Sequence, residues 1–302
     1  MISRYYIQCV LVAVACGVGL AGVTRGQPPK DILWFGNSFT GQPTPCCGTS
    51  RSVPDIFRDI ATSAGQPTPR NRNAAANGQS LQWHLTNNVS VITTGIVASE
   101  KWEHVVLQDH STWPTHIGNL SQHLSSSLAL YQKVALHSPN VVPVMYETWA
   151  RGYPNSYYAG ANPSFPGGPA QMQQELRDGY RMSTENINTT VGMELAKLAP
   201  AGDAWELANF PANFYDASDP SHYHAQNRGA LLNALILYGT IYDDPTTSDI
   251  PLSGVLSSLG LSAADGPLLT GLADATLVPE PGSLTIFGLA MALLASARRV
   301  RR

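Results

Sequence analysis

Charged residues are scarce in this chain. Only 13% of its 302 residues are Asp, Glu, Lys or Arg, and the formal net charge is −3. So little charge, together with 43% hydrophobic residues, excludes a disordered acidic or basic polymer and indicates a globular protein. The basic surplus typical of nucleic-acid-binding proteins is missing, so we expect no nucleic-acid partner. The length suits one large α/β domain, or one domain with tails.

Much of the positive charge lies at the two ends. Six of the 18 basic residues, all of them arginines, fall within residues 1–26 and 278–302. The body between these ends has 12 basic and 20 acidic residues, a net charge of about −8. A body this acidic disfavours anionic polymers as partners.

Cysteine is also rare. Of the four cysteines, Cys9 and Cys16 lie near the N-terminus, and Cys46 and Cys47 are adjacent. This distribution excludes a disulfide framework. The adjacent pair could be two buried thiols, a strained bond between neighbours or an intermolecular bridge, and no metal ligands lie at useful spacing from it.

Residues 1–26 have the composition of a secretory signal. Arg4 provides the charged start, and an apolar run follows from residue 7 to residue 23. A lipoprotein acylated on Cys16 and an uncleaved membrane anchor are the other two interpretations. All three predict an exported protein that acts at the cell surface or outside the cell.

The C-terminus carries a second signal. Val278, Pro279, Glu280 and Pro281 precede an apolar run over residues 284–297, and four arginines are found in the last five residues. The run is short for a spanning helix, which needs about 20 residues. The order resembles the PEP-CTERM sorting signal of certain Gram-negative bacteria. That resemblance implies an exosortase-type partner and a transient membrane anchor over residues 278–302; a plain membrane tail is the alternative.

Strand and helix patterns alternate in the body. Three short apolar runs are typical of buried strands: 31–35, 104–107 and 141–146. Other stretches have helical spacing: 54–62, 80–85, 120–137, 169–186, 225–242 and 262–273. Loops are predicted over 65–77 and 153–168, and the interpretation of 189–199 is open. The alternation predicts an α/β domain over residues 27–245, with a parallel sheet between two helix layers and an accessory segment over 246–277.

Ser38 directly follows the first predicted strand. A serine hydroxyl becomes a useful nucleophile only beside a base that is itself oriented by an acid. Asp219 and His222, in one short turn before the helix at 225–242, supply both groups. We therefore predict that His222 takes the Ser38 proton and that Asp219 orients the imidazole.

These residues resemble the SGNH/GDSL hydrolases, with Gly36, Asn37 and Ser38 after a strand and Asp219 and His222 before a final helix. The resemblance implies a flavodoxin-like three-layer α/β/α sandwich with a mostly parallel central sheet. This sequence differs from the family pattern at Asn37, where the GDSL motif that names the family has Asp.

The resemblance also implies an oxyanion hole. Its donors would be the backbone N–H of Ser38, the backbone N–H of Gly78 and a side-chain amide. Gln108 stands where the family has an asparagine and is one methylene longer. A missing donor of this kind costs about 100- to 1,000-fold in rate.

Further side chains follow the predicted strands. Glu147 and Trp149 follow the third strand and are candidate substrate contacts, although Trp149 could instead lie in the core. Asp219, His222 and His224 could in principle bind zinc, but we expect no metal and no cofactor.

The sequence thus predicts an exported serine esterase that acts through an acyl-serine intermediate. By family analogy, the substrate is a small-molecule or polysaccharide ester, such as O-acetylated carbohydrate. A non-catalytic surface or matrix protein on the same scaffold is the alternative, and a metal-dependent hydrolase is a third hypothesis.

Overall fold

A computed structural model of the chain describes residues 28–41 and 50–278. The predicted export signal, Cys46 and Cys47, and the predicted sorting signal from Pro279 onward lie outside the described residues. Within those two ranges, no helix combines the length and the apolar character needed to cross a membrane.

The centre of the described chain is a five-stranded parallel sheet. Its strands are β1 (Asp31–Phe35), β2 (Arg70–Asn73), β3 (His104–Leu107), β4 (Val142–Tyr146) and β5 (Lys197–Ala199), in the order β2-β1-β3-β4-β5. In register, Ile32 of β1 pairs with Asn71 on one side and His104 on the other. The chain adds β2 on one side of β1 and then β3 on the other, so the sheet has its topological switch point between β1 and β3.

Ten α-helices in the described residues pack on the sheet or on one another. They are α1 (Ser38–Gly41), α2 (Val53–Ser63), α3 (Leu81–Asn87), α4 (Val91–Thr94), α5 (Leu120–His137), α6 (Gly168–Val191), α7 (Ala201–Leu207), α8 (Asn227–Tyr242), α9 (Ser253–Ser258) and α10 (Asp265–Leu277). Two of these helices have serine N-caps, since the hydroxyls of Ser52 and Ser80 accept the N–H groups of Asp55 and Trp83.

Side chains that alternate along the strands divide the core into two layers. Ile32 and Trp34 of β1 pack on one face with α2, α7 and α8, whereas Leu33 and Phe35 pack on the other face with α3, α5 and α6. This two-residue period buries both faces of a parallel sheet. The predicted three-layer α/β/α architecture is therefore confirmed.

The strand β2 differs from the sequence prediction, and β5 lies in a stretch whose interpretation the sequence leaves open. Residues 65–77 contain β2, not only loop, because an edge strand with the sequence Arg-Asn-Arg-Asn buries almost no apolar side chain and lacks the usual signal. Its backbone still pairs with β1, and Asn71 accepts the indole N–H of Trp34 at 3.1 Å. In the undecided stretch 189–199, α6 ends, the backbone turns at Gly192 with φ 73°, and β5 follows.

Helix α8 has apolar side chains on every side, as is typical of a helix that other elements bury on every side. It packs on the sheet and on α2 and α7, while α9 and α10 cover it from outside with side chains that include Leu256 and Leu269. Arg228 at its start binds Asp265 of α10 at 2.6 Å. The segment 246–277 is thus part of the same hydrophobic core as α8.

Leu269→Ala should destabilise the protein by about 3 kcal/mol, because a buried leucine is replaced by a cavity in that shared core. Leu269 is 0% exposed, whereas its neighbour Leu268 is 53% exposed. Leu268→Ala is therefore the matched control and should change the free energy of unfolding by less than about 0.5 kcal/mol. Denaturant unfolding measures both variants, and equal stabilities would show that α10 does not contribute to the core.

Candidate active site

Ser38 is held at the start of α1 by a tightly bonded turn. The Asn37 carbonyl accepts the N–H groups of Thr40 and Gly41, and the Asn37 side-chain oxygen accepts the Phe39 N–H at 3.0 Å. Gly36 leaves room for this turn, since a Cβ there would lie 2.5 Å from the Thr40 hydroxyl. The switch point between β1 and β3 thus presents a serine hydroxyl in a fixed position.

A chain of hydrogen bonds runs from Ser38 through His224 to Asp219. The His224 Nε2 lies 3.0 Å from the Ser38 Oγ, and the His224 Nδ1 lies 2.9 Å from the Asp219 Oδ2. All three side chains are buried. This is the order of contacts that a nucleophile, a base and an orienting acid require.

The Asp219 carboxylate is surrounded by donors. It accepts backbone N–H groups from Ser221 at 2.9 Å, Tyr223 at 3.1 Å and His224 at 2.9 Å, besides its contact with the imidazole. Burial alone would raise the pKa of Asp219, but these hydrogen bonds outweigh it and the pKa is lowered. Asp219 is therefore an anion at neutral pH.

Burial is the main cause of the lowered pKa of His224, and it acts against the neighbouring Asp219 charge, which raises that pKa. Arg151 adds a smaller lowering effect. The imidazole is therefore neutral at neutral pH, and its unprotonated nitrogen can accept the Ser38 proton.

The structure does not bring His222 to Ser38, so the predicted pairing of these two residues is wrong. Residues 219–222 form a tight turn in which the His222 N–H donates to the Asp219 carbonyl, and His222 has a positive φ of 46°. Its carbonyl accepts the Gly152 N–H at 2.7 Å. The chain then extends through Tyr223, so His224 is the histidine that points back to Asp219.

A turn signal was present in the sequence. Asp219 and Pro220 are typical turn formers, and a residue inside such a turn has a direction that spacing alone does not give. The sequence indicates His224 only as a possible metal ligand. In the described parts of the chain, no group of three or more His, Cys, Asp or Glu side chains is arranged to hold a metal ion.

Gln108 is placed differently from its predicted role as an oxyanion donor. It is fully buried, and its Oε1 accepts both the Asn37 N–H and the Thr40 hydroxyl at 2.9 Å. Its Nε2 donates to the Asp109 carbonyl. Both ends of the amide thus bond inside the protein. Gln108 supports the turn over residues 36–41 that carries Ser38 (the nucleophile turn) and does not face the crevice.

Among the described residues, no backbone acceptor binds either of the two backbone donors of the predicted oxyanion hole. The Ser38 N–H lies in the first turn of α1, where a helix provides no acceptor. Gly78 is exposed, has φ +72°, and meets no described atom within 4 Å of a Cβ position. The Asn37 amide donates to the carbonyl of Gln79 at 3.1 Å and so ties the Gly78 turn to the nucleophile turn.

The buried side chain of Asp109 connects the loop after β3 to the start of α3. Its carboxylate accepts the N–H groups of Leu81 at 2.9 Å and His110 at 2.8 Å, and it contacts the His123 imidazole at 2.9 Å. It is fully buried. Asp109 therefore positions the loop after β3 and the start of α3 relative to one another.

Glu147 and Trp149 do not line the crevice, so their predicted role as substrate contacts is wrong. Glu147 is fully buried against Gln173 at 2.6 Å, and burial raises its pKa well above the usual value. Trp149 lies between the rings of Phe39 and Trp205, with centroids 4.5 and 4.6 Å away, as expected for the core interpretation. Its indole N–H donates to the Tyr223 carbonyl at 2.9 Å, next to His224.

Sequence reasoning missed a cation beside the histidine. The Arg151 guanidinium lies over the rings of Tyr157 and Tyr223, at 4.4 and 4.6 Å from their centroids. The Tyr223 ring is in turn 4.1 Å from that of His224. Arg151 and Tyr157 share the loop after β4, which is far in the chain from Tyr223 and His224, so only the aromatic richness of that loop could have indicated the cluster.

Comparison with known proteins adds the fold family. No family model and no curated protein matches the chain. Among solved structures, a protein from Slackia heliotrinireducens assigned to the SGNH hydrolases superposes with a TM-score of 0.52 at 21% identity, over 70% of this chain and 99% of that one. A family 3 carbohydrate esterase from Clostridium thermocellum gives 0.50 at 15% identity, over 71% and 96%. The chain has the SGNH hydrolase fold.

A DUF4886 family protein from Bacteroides uniformis is also similar, with a TM-score of 0.59 at 17% identity over 85% of this chain and 98% of that one. In the SGNH fold of this chain, the Ser38, His224 and Asp219 contacts lie outside the carboxyl ends of β1 and β3. That is the crevice in which open parallel sheets bind ligands.

Gln108→Leu should destabilise the protein by about 1–3 kcal/mol, because the Asn37 N–H and the Thr40 hydroxyl would lose their buried acceptor. Gln174→Leu, at an exposed position of α6, is the control and should have little effect. Urea unfolding compares the two variants with the parent. A Gln108 variant as stable as the parent would contradict a supporting role for the buried amide.

Proposed function

We propose that this protein is a serine esterase. The observation that carries the proposal is the continuous hydrogen-bonded path from the Ser38 hydroxyl through His224 to Asp219, in a protein with the SGNH fold. A serine is activated for attack on a carbonyl when a neutral imidazole contacts its hydroxyl and a buried carboxylate contacts the other side of that imidazole.

In the proposed reaction, the His224 Nε2 accepts the Ser38 proton while the Ser38 Oγ bonds to the ester carbonyl carbon. Negative charge then develops on the carbonyl oxygen, and the N–H groups of Ser38 and Gly78 would stabilise it. The oxyanion then re-forms the carbonyl as the ester C–O bond breaks, and His224 gives the proton to the leaving alcohol, so that the acyl group stays on Ser38. Water attacks the acyl-serine by the same route and releases the acid, which restores the Ser38 hydroxyl.

Asp219 would act through His224. Its contact with Nδ1 keeps the proton on that nitrogen, so that Nε2 is left as the acceptor facing Ser38. Its negative charge also stabilises the imidazolium that forms when His224 takes the proton. Three backbone N–H groups hold the carboxylate in place during both steps.

For the substrate we propose a small ester, with O-acetylated carbohydrate as the first class to examine. Support for this class comes only from the similarity in fold to the family 3 carbohydrate esterase. In the aromatic loop after β4, Tyr153 is exposed, while Phe165 is buried in a small core with α6. Tyr153 is therefore the ring of this pair that is available to a substrate.

We also propose that the protein works outside the cytoplasm. Support comes from the sequence of its two ends, namely the secretory pattern of residues 1–26 and the similarity of residues 278–302 to a sorting signal. An exosortase-type enzyme would then be its processing partner, and the membrane its transient attachment site.

Ser38→Ala and His224→Ala should each lower kcat for p-nitrophenyl acetate by about 1,000-fold or more, because each removes a member of the proton-transfer path. His222→Asn is the matched control; asparagine tolerates the positive φ at this position, and the variant should retain activity within about threefold of the parent. Loss of activity in His222→Asn with activity retained in His224→Ala would contradict the assignment.

A serine-directed fluorophosphonate should label the parent but not Ser38→Ala. Circular dichroism would show that the unlabelled variant is still folded. A folded parent protein that neither hydrolyses p-nitrophenyl acetate nor reacts with the probe would instead favour a non-catalytic surface protein.

The acid limb of the pH profile should have its midpoint below pH 6.5. Catalysis needs neutral His224, and burial, the largest effect on this group, favours the neutral form and lowers its pKa from 6.5. Activity is therefore expected to persist at pH values where an exposed histidine would be protonated. The measurement is kcat/KM for p-nitrophenyl acetate against pH, and an acid limb centred above pH 6.5 would contradict a neutral buried base.

A further inference from the structure

Arg151 is a cation without a carboxylate partner in the described part of the chain. Other half-buried arginines have one: Arg177 contacts Asp203 and Arg228 contacts Asp265, both at 2.6 Å. The Arg151 Nε is buried and meets no hydrogen-bond partner among the described residues. A guanidinium in this state has donors to spare and is already partly desolvated, which makes it a strong site for an anion.

Aromatic rings hold this cation in place. Tyr157 and Tyr223 lie within cation–π distance of the Arg151 guanidinium, at 4.4 and 4.6 Å from its central carbon. The Tyr158 hydroxyl donates to the Arg151 carbonyl at 2.9 Å and fixes the backbone. A guanidinium oriented in this way loses little conformational freedom when it binds a ligand, so its donors are pre-organised.

The cation also lies close to the site of reaction, one aromatic ring away from His224. Tyr223, over which Arg151 lies, is the neighbour of His224 in sequence and in space. Besides burial, the positive charge of Arg151 contributes to the lowered pKa of both His224 and His110. In the sequence, His110 precedes the loop after β4 and His224 follows it. The nearby carboxylate of Asp219 is already bound by backbone N–H groups and by His224.

We propose that Arg151 forms a subsite for a carboxylate of the substrate, so that the preferred ester carries one negative charge next to the bond that is cleaved. This inference rests on the proposed esterase function and names the substrate class of the same site. The planar guanidinium matches a carboxylate with two parallel hydrogen bonds. The body, with its net charge of about −8, repels polyanions, which favours a small ester with a single carboxylate over an anionic polymer.

The test compares two esters that differ in one charge. They are 4-acetoxybenzoate, which is an anion, and methyl 4-acetoxybenzoate, which is neutral; 3-acetoxybenzoate and its methyl ester vary the distance between the carboxylate and the acetyl group. The readout is the ratio of kcat/KM for the anionic ester to that for the neutral ester. In the parent protein, at least one isomer pair should favour the anion.

Arg151→Met should lower this ratio by about tenfold or more, since it removes a charge-assisted pair of hydrogen bonds and keeps an apolar stem against the tyrosines. Arg151→Lys keeps the charge but lacks the planar fork, so it should lower the ratio by a smaller factor. Arg181→Met, at an exposed position on α6, is the matched control and should leave the ratio unchanged.

The outcomes separate the two proposals. A parent that hydrolyses both esters and is labelled at Ser38, but whose ratio is the same in Arg151→Met, would overturn the carboxylate subsite and leave the esterase intact. The same is true of a parent that favours the neutral ester in both isomer pairs. A parent that hydrolyses neither ester and shows no fluorophosphonate labelling would overturn the esterase, and the subsite with it.

Discussion

The buried carboxylate of Asp219 organises the loop on which the candidate site depends. A carboxylate taken out of water is costly unless donors replace its hydration. Here three backbone N–H groups and one imidazole do so, and all of them come from the five residues that follow Asp219. Satisfying this one charge bends the chain into a tight turn and aims His224 at Ser38. The direction of the histidine is thus a consequence of the solvation of Asp219.

A stack of aromatic rings joins this loop to the rest of the site. Phe39, directly after Ser38, packs on Trp149, and Trp149 packs on Trp205 of α7. The indole N–H of Trp149 binds the carbonyl of Tyr223, so the stack also holds the residue before His224. The nucleophile turn, the loop after β4 and the loop that carries His224 are therefore all packed against this stack of rings. Such packing is what keeps catalytic side chains within the narrow tolerances that proton transfer requires.

The features that local patterns determine were predictable. The strands β1 and β3 carry short apolar runs, so their predictions are confirmed. The strand β2 was missed because its side chains are polar and only backbone pairing defines it. The directions of His224 and Gln108 depend on hydrogen bonds to distant backbone groups, which spacing does not specify. The Arg151 cluster needs Tyr157 and Tyr223 to meet in space, and the chain brings them together only through the fold.

The two residues that differ from the SGNH motif, Asn37 and Gln108, are joined by a hydrogen bond. Asn37 stands where the motif has Asp, and its side-chain amide donates to the carbonyls of Gln79 and Asp109, which a carboxylate could not do. Gln108 stands where the motif has Asn, and its longer side chain turns inward to accept the Asn37 N–H. The Asn37 amide thus ties two loops together, and the Gln108 Oε1 is an acceptor behind Ser38. The charge on a reacting carbonyl oxygen would then be stabilised by backbone N–H groups, whose positions depend on the bonds made by Asn37.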